Sequence, residues 1–590
     1  MRKLFLFFLA AGAMATAAGQ QLIPADKTPI YRHSFTARYN LTGEEPVREA
    51  ALSPDSLRVG FVRDNDLFIK DIATGVETRV THDGKRNSII NGATDWVYEE
   101  EYAFTRAWDF SPDGRQIAWL RFDESRVPEF TMMRYNGQLY PEPYTFKYPK
   151  AGEENSVVSL HIYDIASGKT RRIDTGANGH GESGDAPEND QYLPRIGWTP
   201  GGRLFFYRVN RLQNHFEVVL ADDRSTRVIY EESSPAYVER PDAKTITFLP
   251  DGDRFIVRQE TRTGWMHLYL HSIEHGFVGA ITSGQWEVTA LRGVEGDTVS
   301  YTSTELSPLS RTDFTIRLDG SGKRCAGTEQ TGPPEGDPRQ FISIPIEGGA
   351  ALDAWMMTPV DFDPSRKYPV LMTQYSGPGS QSVSYAPLRT GDMMIYAPLL
   401  KAGYIVVCVD PRGTGGRGEA FKKCTYGDLG CIETLDQIAA ARWLGALPYV
   451  DAKRIGIYGW SFGGFVALNS ILKGADVFAL AVAVAPVTNW RYYDTIYTEI
   501  YNGLPSDNPD GYDKNSPINY AELLRGKLLL VHGSGDDNVH PQNTLEMVRA
   551  LVAAGCRFDM MIYPDDNHSM MPAGPFHIRR TISDYIIANL

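Results

Sequence analysis

Apolar positions follow two different rhythms along this chain. Between about residues 45 and 320 they come in short strand-like runs separated by turn residues. A phrase recurs there: LSPDS at 52–56, FSPDG at 110–114, WTPGG at 198–202 and FLPDG at 248–252. Each precedes an apolar run, respectively GFVRD, IAWLRF, LFFYRV and FIVRQ. Companion runs recur too, as in DLFIKDIATGVETRVT and SLHIYDIASGKTRRID. A turn followed by several short strands, repeated every few tens of residues, predicts a β-propeller, with a β-sandwich as the other arrangement the pattern allows.

Residues 320–340, GSGKRCAGTEQTGPPEGDPRQ, are rich in glycine, proline and polar residues and read as a linker. Beyond it the rhythm changes. Apolar strands YPVLMTQY, YIVVCVD, RIGIYGW, FALAVAVA, KLLLVHG and FDMMIYP are interleaved with helical stretches IETLDQIAAARWL, FGGFVALNSILK, TLEMVRALVAAG and ISDYIIANL. This predicts an α/β domain with a mostly parallel sheet covered on both faces.

Composition narrows the picture further. The 590 residues carry a net charge of −14 without a long acidic block, which argues against a nucleic-acid or anionic-lipid partner. The opening MRKLFLFFLAAGAMATAAGQQ has a basic tip, an apolar stretch and small residues suited to signal peptidase. A leader over 1–19 and export to a periplasmic or extracellular space are therefore expected, with no membrane span in the mature protein. A propeller over 22–335 and a catalytic domain over 336–590 complete the expected organisation. Five scattered cysteines suit neither a disulfide scaffold nor a zinc ribbon, and whether Cys424 and Cys431 pair is left open. No metal or organic cofactor is indicated.

Gly459-Trp460-Ser461-Phe462-Gly463 fits G-x-S-x-G between a strand and a helix, the turn that exposes a nucleophilic serine. Serine needs a base, and the base an orienting carboxylate. Downstream, SGDDNVH offers Asp536 and Asp537, and DDNHSM offers His568. His532, inside a strand, reads as structural, and His540 opens a helix. The backbone N–H of Phe462 is one expected oxyanion donor. The phenol of Tyr375 is a second, or else a packing group.

One stretch asks for an explanation of its own: DWVYEEEY at 95–102, with three consecutive glutamates. They are either ligands for a cation, or residues of a helix capped by Asp95 whose dipole they complement.

Together these segments resemble the dipeptidyl peptidase IV group of the prolyl oligopeptidase family. The resemblance is carried by YRHSFTARY (31–39), NGATDWVYEEE (91–101), YPVLMTQYSGP (368–378), GWSFGGF (459–465), APVTNWRYYDTIYTE (485–499), HGSGDDNVH (532–540) and DDNH (565–568). It implies a triad of Ser461, Asp536 and His568, with Tyr375 and Phe462 as oxyanion donors. It implies that Glu100 and Glu101 bind the substrate's α-ammonium, that Arg32 and Asn538 contact the first peptide carbonyl, and that Phe462, Val487, Trp490, Tyr493, Tyr497 and Val539 line a proline-sized pocket. It also implies a homodimer acting on peptides with a free N-terminus and Pro or Ala second.

Two departures from the family pattern stand out. Phe462 replaces a family tyrosine, and Ile500 a family arginine. The N-terminal half is also short: residues 22–335, at roughly 45–50 residues per blade, hold six or seven blades where the family has eight. The propeller then closes with fewer blades, stays open, or belongs to a truncated form. The function expected is a serine exopeptidase releasing X-Pro or X-Ala dipeptides through an acyl-enzyme. The alternatives are a related oligopeptidase or acylaminoacyl peptidase, and a catalytically weak binding or scaffold protein.

Overall fold

The computed structural model describes residues 47–176, 190–222, 225–347, 351–572 and 574–590. The expected leader and Arg32 lie outside the described residues.

The N-terminal half is built of antiparallel sheets of four or five strands, spanning 48–79, 89–173, 191–233, 246–280 and 288–325. In three of them the recurring Pro-Asp phrase makes the turn between two antiparallel strands. In LSPDS, Asp55 Oδ1 takes the Ser53 hydroxyl at 2.6 Å and the Leu57 N–H at 2.9 Å. Asp113 repeats this with Ser111 and the Arg115 N–H, and Asp251 with the N–H groups of Asp253 and Arg254. Such Asx turns satisfy backbone donors that the chain reversal leaves open, so the next apolar run can enter its sheet. Apolar residues of the first four sheets form a common core that includes Phe122, Leu160, Phe206 and Val218, and the fourth and fifth share a second one around Leu268, Val299 and Phe314.

Chain length allowed six or seven blades, whereas the described residues form five such sheets. Part of the chain is spent otherwise. Strands Glu129–Arg134 and Glu142–Lys147 leave the blade of Gln116–Asp123 and pair only with each other, as a hairpin arm.

The C-terminal half holds an eight-stranded sheet. Its order is Gln340–Pro345, Ala351–Met357, Ile405–Asp410, Tyr368–Thr373, Val450–Trp460, Leu480–Val484, Lys527–Gly533 and Asp559–Tyr563. The last six are parallel and coincide with the six apolar runs read from sequence. The first two, antiparallel, were not anticipated, nor was the helix Thr390–Lys401. Separate apolar layers cover the two faces of the sheet, as its continuous Val, Ile and Leu runs require.

Buried polar contacts join the halves. Arg211 grips Glu499 with two hydrogen bonds of 2.8 Å, the Thr495 hydroxyl donates to Asn155 Oδ1 at 2.6 Å, and Gln213 Nε2 donates to the Ile496 carbonyl at 2.6 Å. The joint thus converges on helix Thr495–Asn502, which carries part of the aromatic cluster described next.

Candidate active site

Strand Val450–Trp460 runs into helix Phe462–Lys473 through Ser461, which has φ 60° and ψ −120°. A non-glycine residue keeps such a conformation only where its surroundings hold it. Here the Ser461 N–H donates to the Val484 carbonyl at 2.8 Å. The flanking glycines have a steric cause. A Cβ at Gly459 would lie 2.1 Å from the Gly463 carbonyl oxygen, and one at Gly463 would lie 2.7 Å from that of Gln374. The motif therefore records two close backbone approaches that bring the Tyr375 loop against the serine turn.

Asp536 and His568 come from the ends of the last two parallel strands. His568 Nδ1 donates to Asp536 Oδ2 at 2.7 Å, which leaves Nε2 as the free base. Asp536 Oδ1 accepts the N–H groups of Asn538 at 3.0 Å and Val539 at 2.9 Å. Burial would raise this carboxyl, but His568 and His532 outweigh it and hold it well below the usual carboxylate range. Burial likewise disfavours imidazolium, yet facing Asp536 the His568 ring ends above its ordinary value. A proton accepted by His568 is thereby stabilised.

The choice between the two aspartates is settled by direction. Asp537 turns away, its Oδ2 accepting the Trp96 indole N–H of the propeller at 3.4 Å, and burial together with Asp536 pushes it up to about 8. His532 is fully buried between the Thr544 hydroxyl and the Val539 carbonyl, both at 2.7 Å. Contact with a carbonyl and, at 3.2 Å, with Asp536 puts a proton on its Nε2, so it supports the acid and is no base.

Tyr375 packs beside the serine turn, its ring centroid 6.1 Å from that of Phe462. Burial of its hydroxyl end, then the charge of Glu101, pushes the phenol up to about 12, so it remains a donor. Phe462 is the first residue of its helix, where backbone N–H groups lack intrahelical partners. A phenol and a backbone amide thus flank Ser461.

The glutamates lie on helix Trp96–Glu101, and Asp95 does cap it, accepting the Tyr98 N–H at 3.0 Å. Only Glu99 belongs to the first turn. Glu100 and Glu101 end the helix, where its dipole is negative and opposes a carboxylate, so dipole complementation does not account for them. Glu100 accepts from the Asn538 side-chain amide. Burial first, then Glu101, pushes its carboxyl up to about 7. Glu101, with its side chain only 5% exposed, pairs with Arg240, whose guanidinium also reaches the Glu101 carbonyl at 3.2 Å. Nothing in AYVERPD marks Arg240 in advance, because its partner is 139 residues away.

Below the serine, Phe462, Val487, Trp490, Tyr493, Tyr497 and Val539 belong to one apolar cluster. Trp490 stacks on Tyr497 with centroids 5.9 Å apart and lies 5.4 Å from Phe462. Tyr493 is fixed through its hydroxyl, which donates to Asn538 Oδ1 at 2.8 Å. Ile500 is buried in the same cluster. Of the sequence-derived residues, Arg32 alone lies outside the described residues.

Among the described residues, His215, Glu217 and Glu231 bring potential metal-donor atoms within 4.8 Å of one another on a propeller blade. Arg208 donates to Glu217 there at 2.6 Å, so a guanidinium already occupies one of its two carboxylates. Cys424 and Cys431 are both free thiols. No described helix is long and apolar enough to cross a membrane.

Comparisons with known proteins agree with this arrangement. Residues 17–335 match the dipeptidyl peptidase IV N-terminal region, and residues 393–588 the prolyl oligopeptidase family. A probable dipeptidyl-aminopeptidase B of Phaeosphaeria nodorum is 32% identical over 93% of this chain and 70% of its own length. One from Emericella nidulans is 33% identical over 95% and 71%. The crystal structure of Porphyromonas gingivalis dipeptidyl peptidase 4 superposes with a TM-score of 0.86 at 39% identity, covering 93% of this chain and 84% of that one.

Proposed function

This chain belongs to the prolyl oligopeptidase family of serine peptidases, in its dipeptidyl peptidase IV branch, and from that premise we propose that it releases X-Pro and X-Ala dipeptides from free peptide N-termini. The observation that carries the reading is Asn538: its side chain engages Glu100, and its backbone N–H engages Asp536, the partner of His568. An ammonium ligand is thereby tied to the acid–base pair through one residue.

In this reading the substrate's ammonium, with a pKa near 8, binds Glu100 in place of bulk water. Glu101, held by Arg240, supplies the second negative charge. The second residue enters the aromatic cluster, where a proline ring loses no hydrogen bond because it has no N–H to satisfy. Ser461 gives its proton to His568 Nε2 and attacks the carbonyl that follows. The developing oxyanion is met by the Tyr375 phenol and the Phe462 amide. His568 then protonates the leaving amine, and water releases the dipeptide by the same steps in reverse order.

We further propose export, in keeping with the leader-like start, and a homodimer. For the latter the exposed apolar side chains Leu139, Tyr140 and Phe576 offer contact surface. The decisive experiment compares Gly-Pro-p-nitroanilide, its N-acetylated form and a Ser461→Ala control. Rapid cleavage of the free amine alone is expected. Equal cleavage of the acetylated substrate would refute the exopeptidase reading.

A further inference from the structure

The hairpin arm poses a physical question. A two-stranded hairpin with no third strand is marginal in water, yet among the described residues strands Glu129–Arg134 and Glu142–Lys147 pair only with each other. The arm is held instead by the two loops that carry the acid and the base.

At its root the arm grips the acid loop. Phe130 stacks on the His540 ring with centroids 3.5 Å apart and planes 5° from parallel, four residues beyond Asp536. Tyr148 packs on the same ring at 4.1 Å, and its hydroxyl donates to the Asn538 carbonyl at 3.0 Å. At its tip the arm grips the other loop. The N–H groups of Tyr135 and Asn136 donate to the two carboxylate oxygens of Asp565, at 2.9 and 2.8 Å. Asp565 lies three residues before His568 and has φ 62°, in the left-handed region that aspartate adopts more readily than most residues. Its own N–H donates to the Ser534 hydroxyl at 2.8 Å, close to the start of the acid loop. After His568 the loop is tied down separately: Trp460 Nε1 donates to the His568 carbonyl at 3.0 Å, and Asn567 Oδ1 accepts the N–H groups of Ser569 and Met571.

We infer that Asp565 is a positioning residue for His568, and that the propeller arm is the template on which the loop carrying the base is set relative to Asp536. The arm touches neither Ser461 nor the glutamates in any contact described above. It acts through the main chain leading to the imidazole. The inference rests on the peptidase reading only in taking His568 as the base.

The test uses the full chain with Asp565→Ala, Asp565→Asn, and Tyr135→Pro, which removes one of the two N–H donors to Asp565 and leaves Leu139 and Tyr140 in place. Unfolding midpoints establish that each variant is folded. With Gly-Pro-p-nitroanilide, Asp565→Ala is expected to lower kcat by on the order of tenfold or more, since small misplacements of a catalytic group are costly, with KM changing less than about twofold. Its acidic kcat–pH limb should move down in pH as the His568–Asp536 contact loosens. Asp565→Asn, which keeps one acceptor oxygen, should recover part of the rate. Tyr135→Pro should reproduce part of the Asp565→Ala loss, and combining it with Asp565→Ala should add nothing further.

An unchanged kcat and pH limb in a folded Asp565→Ala protein would overturn the inference. So would independent, multiplying losses from the two changes. p-Nitrophenyl acetate, which has no ammonium, keeps this test separate from the peptidase reading. If the wild type hydrolyses the ester but not the dipeptide substrate, the exopeptidase reading fails while the arm is still tested through the ester rate.

Discussion

Asn538 holds Glu100 with its side chain while its main-chain N–H is held by Asp536 at 3.0 Å, although Glu100 and Asn538 are 438 residues apart in sequence. Removing the side chain in Asn538→Ala leaves the acid in place but frees Glu100. Hydrogen bonds to charged groups are worth about 1.5–3 kcal/mol, so KM for a free-amine dipeptide substrate should rise roughly tenfold or more. Hydrolysis of p-nitrophenyl acetate should change little, and steady-state kinetics on both substrates checks this.

The pH dependence follows from Glu100. Its carboxyl is raised to about 7, faced by Glu101, Glu99, His568 and Asp536, and the neutral acid forming below that pH cannot neutralise an ammonium. The substrate amine loses its own charge above about 8. For Gly-Pro-p-nitroanilide, kcat/KM should therefore rise through about pH 7 and fall above about pH 8. His568 also titrates on the acid side, but its limb should appear with the ester as well. Glu100→Gln should abolish the difference between the two acidic limbs, leaving the alkaline limb of the free-amine substrate in place.

Arg240 neutralises a carboxylate that is nearly out of solvent. Breaking one partner of a buried pair costs about 3–5 kcal/mol. Arg240→Met should lower the unfolding midpoint and raise KM. Adding Glu101→Gln should restore much of the stability without restoring the KM, which a double-mutant cycle reads directly.

Gly463→Ala tests the close approach behind the motif. Its Cβ would meet the Gln374 carbonyl oxygen at 2.7 Å and the Tyr375 Cα at 3.3 Å. Backbone must shift, and the phenol facing the serine shifts with it. A loss of about 10²-fold or more in kcat is expected, in line with removal of an oxyanion donor, with near-native circular dichroism.

Much of this was legible in the chain itself. Six parallel strands were readable because residues buried on both faces leave uninterrupted apolar runs, as in IVVCVD at 405–410. The serine turn was readable because backbone crowding admits only glycine at 459 and 463. Strands Gln340–Pro345 and Ala351–Met357 were missed, though no shorter than several that were read, because their burial is mixed and no uninterrupted apolar run marks them.

What local pattern determined was the chemistry on offer: a serine in a strained turn, two aspartates, a histidine and a run of glutamates, each defined by neighbours a few residues away. What tertiary structure alone decided was pairing between residues from 32 to 441 positions apart. It turned Asp536 to His568 and Asp537 to Trp96, gave Glu101 to Arg240, and seated the hairpin arm on Asp565. The reason is physical: a side chain's local sequence sets its hydrogen-bonding capacity, whereas its partner is selected only when the chain is packed, within each half or between the two, and bulk water no longer competes.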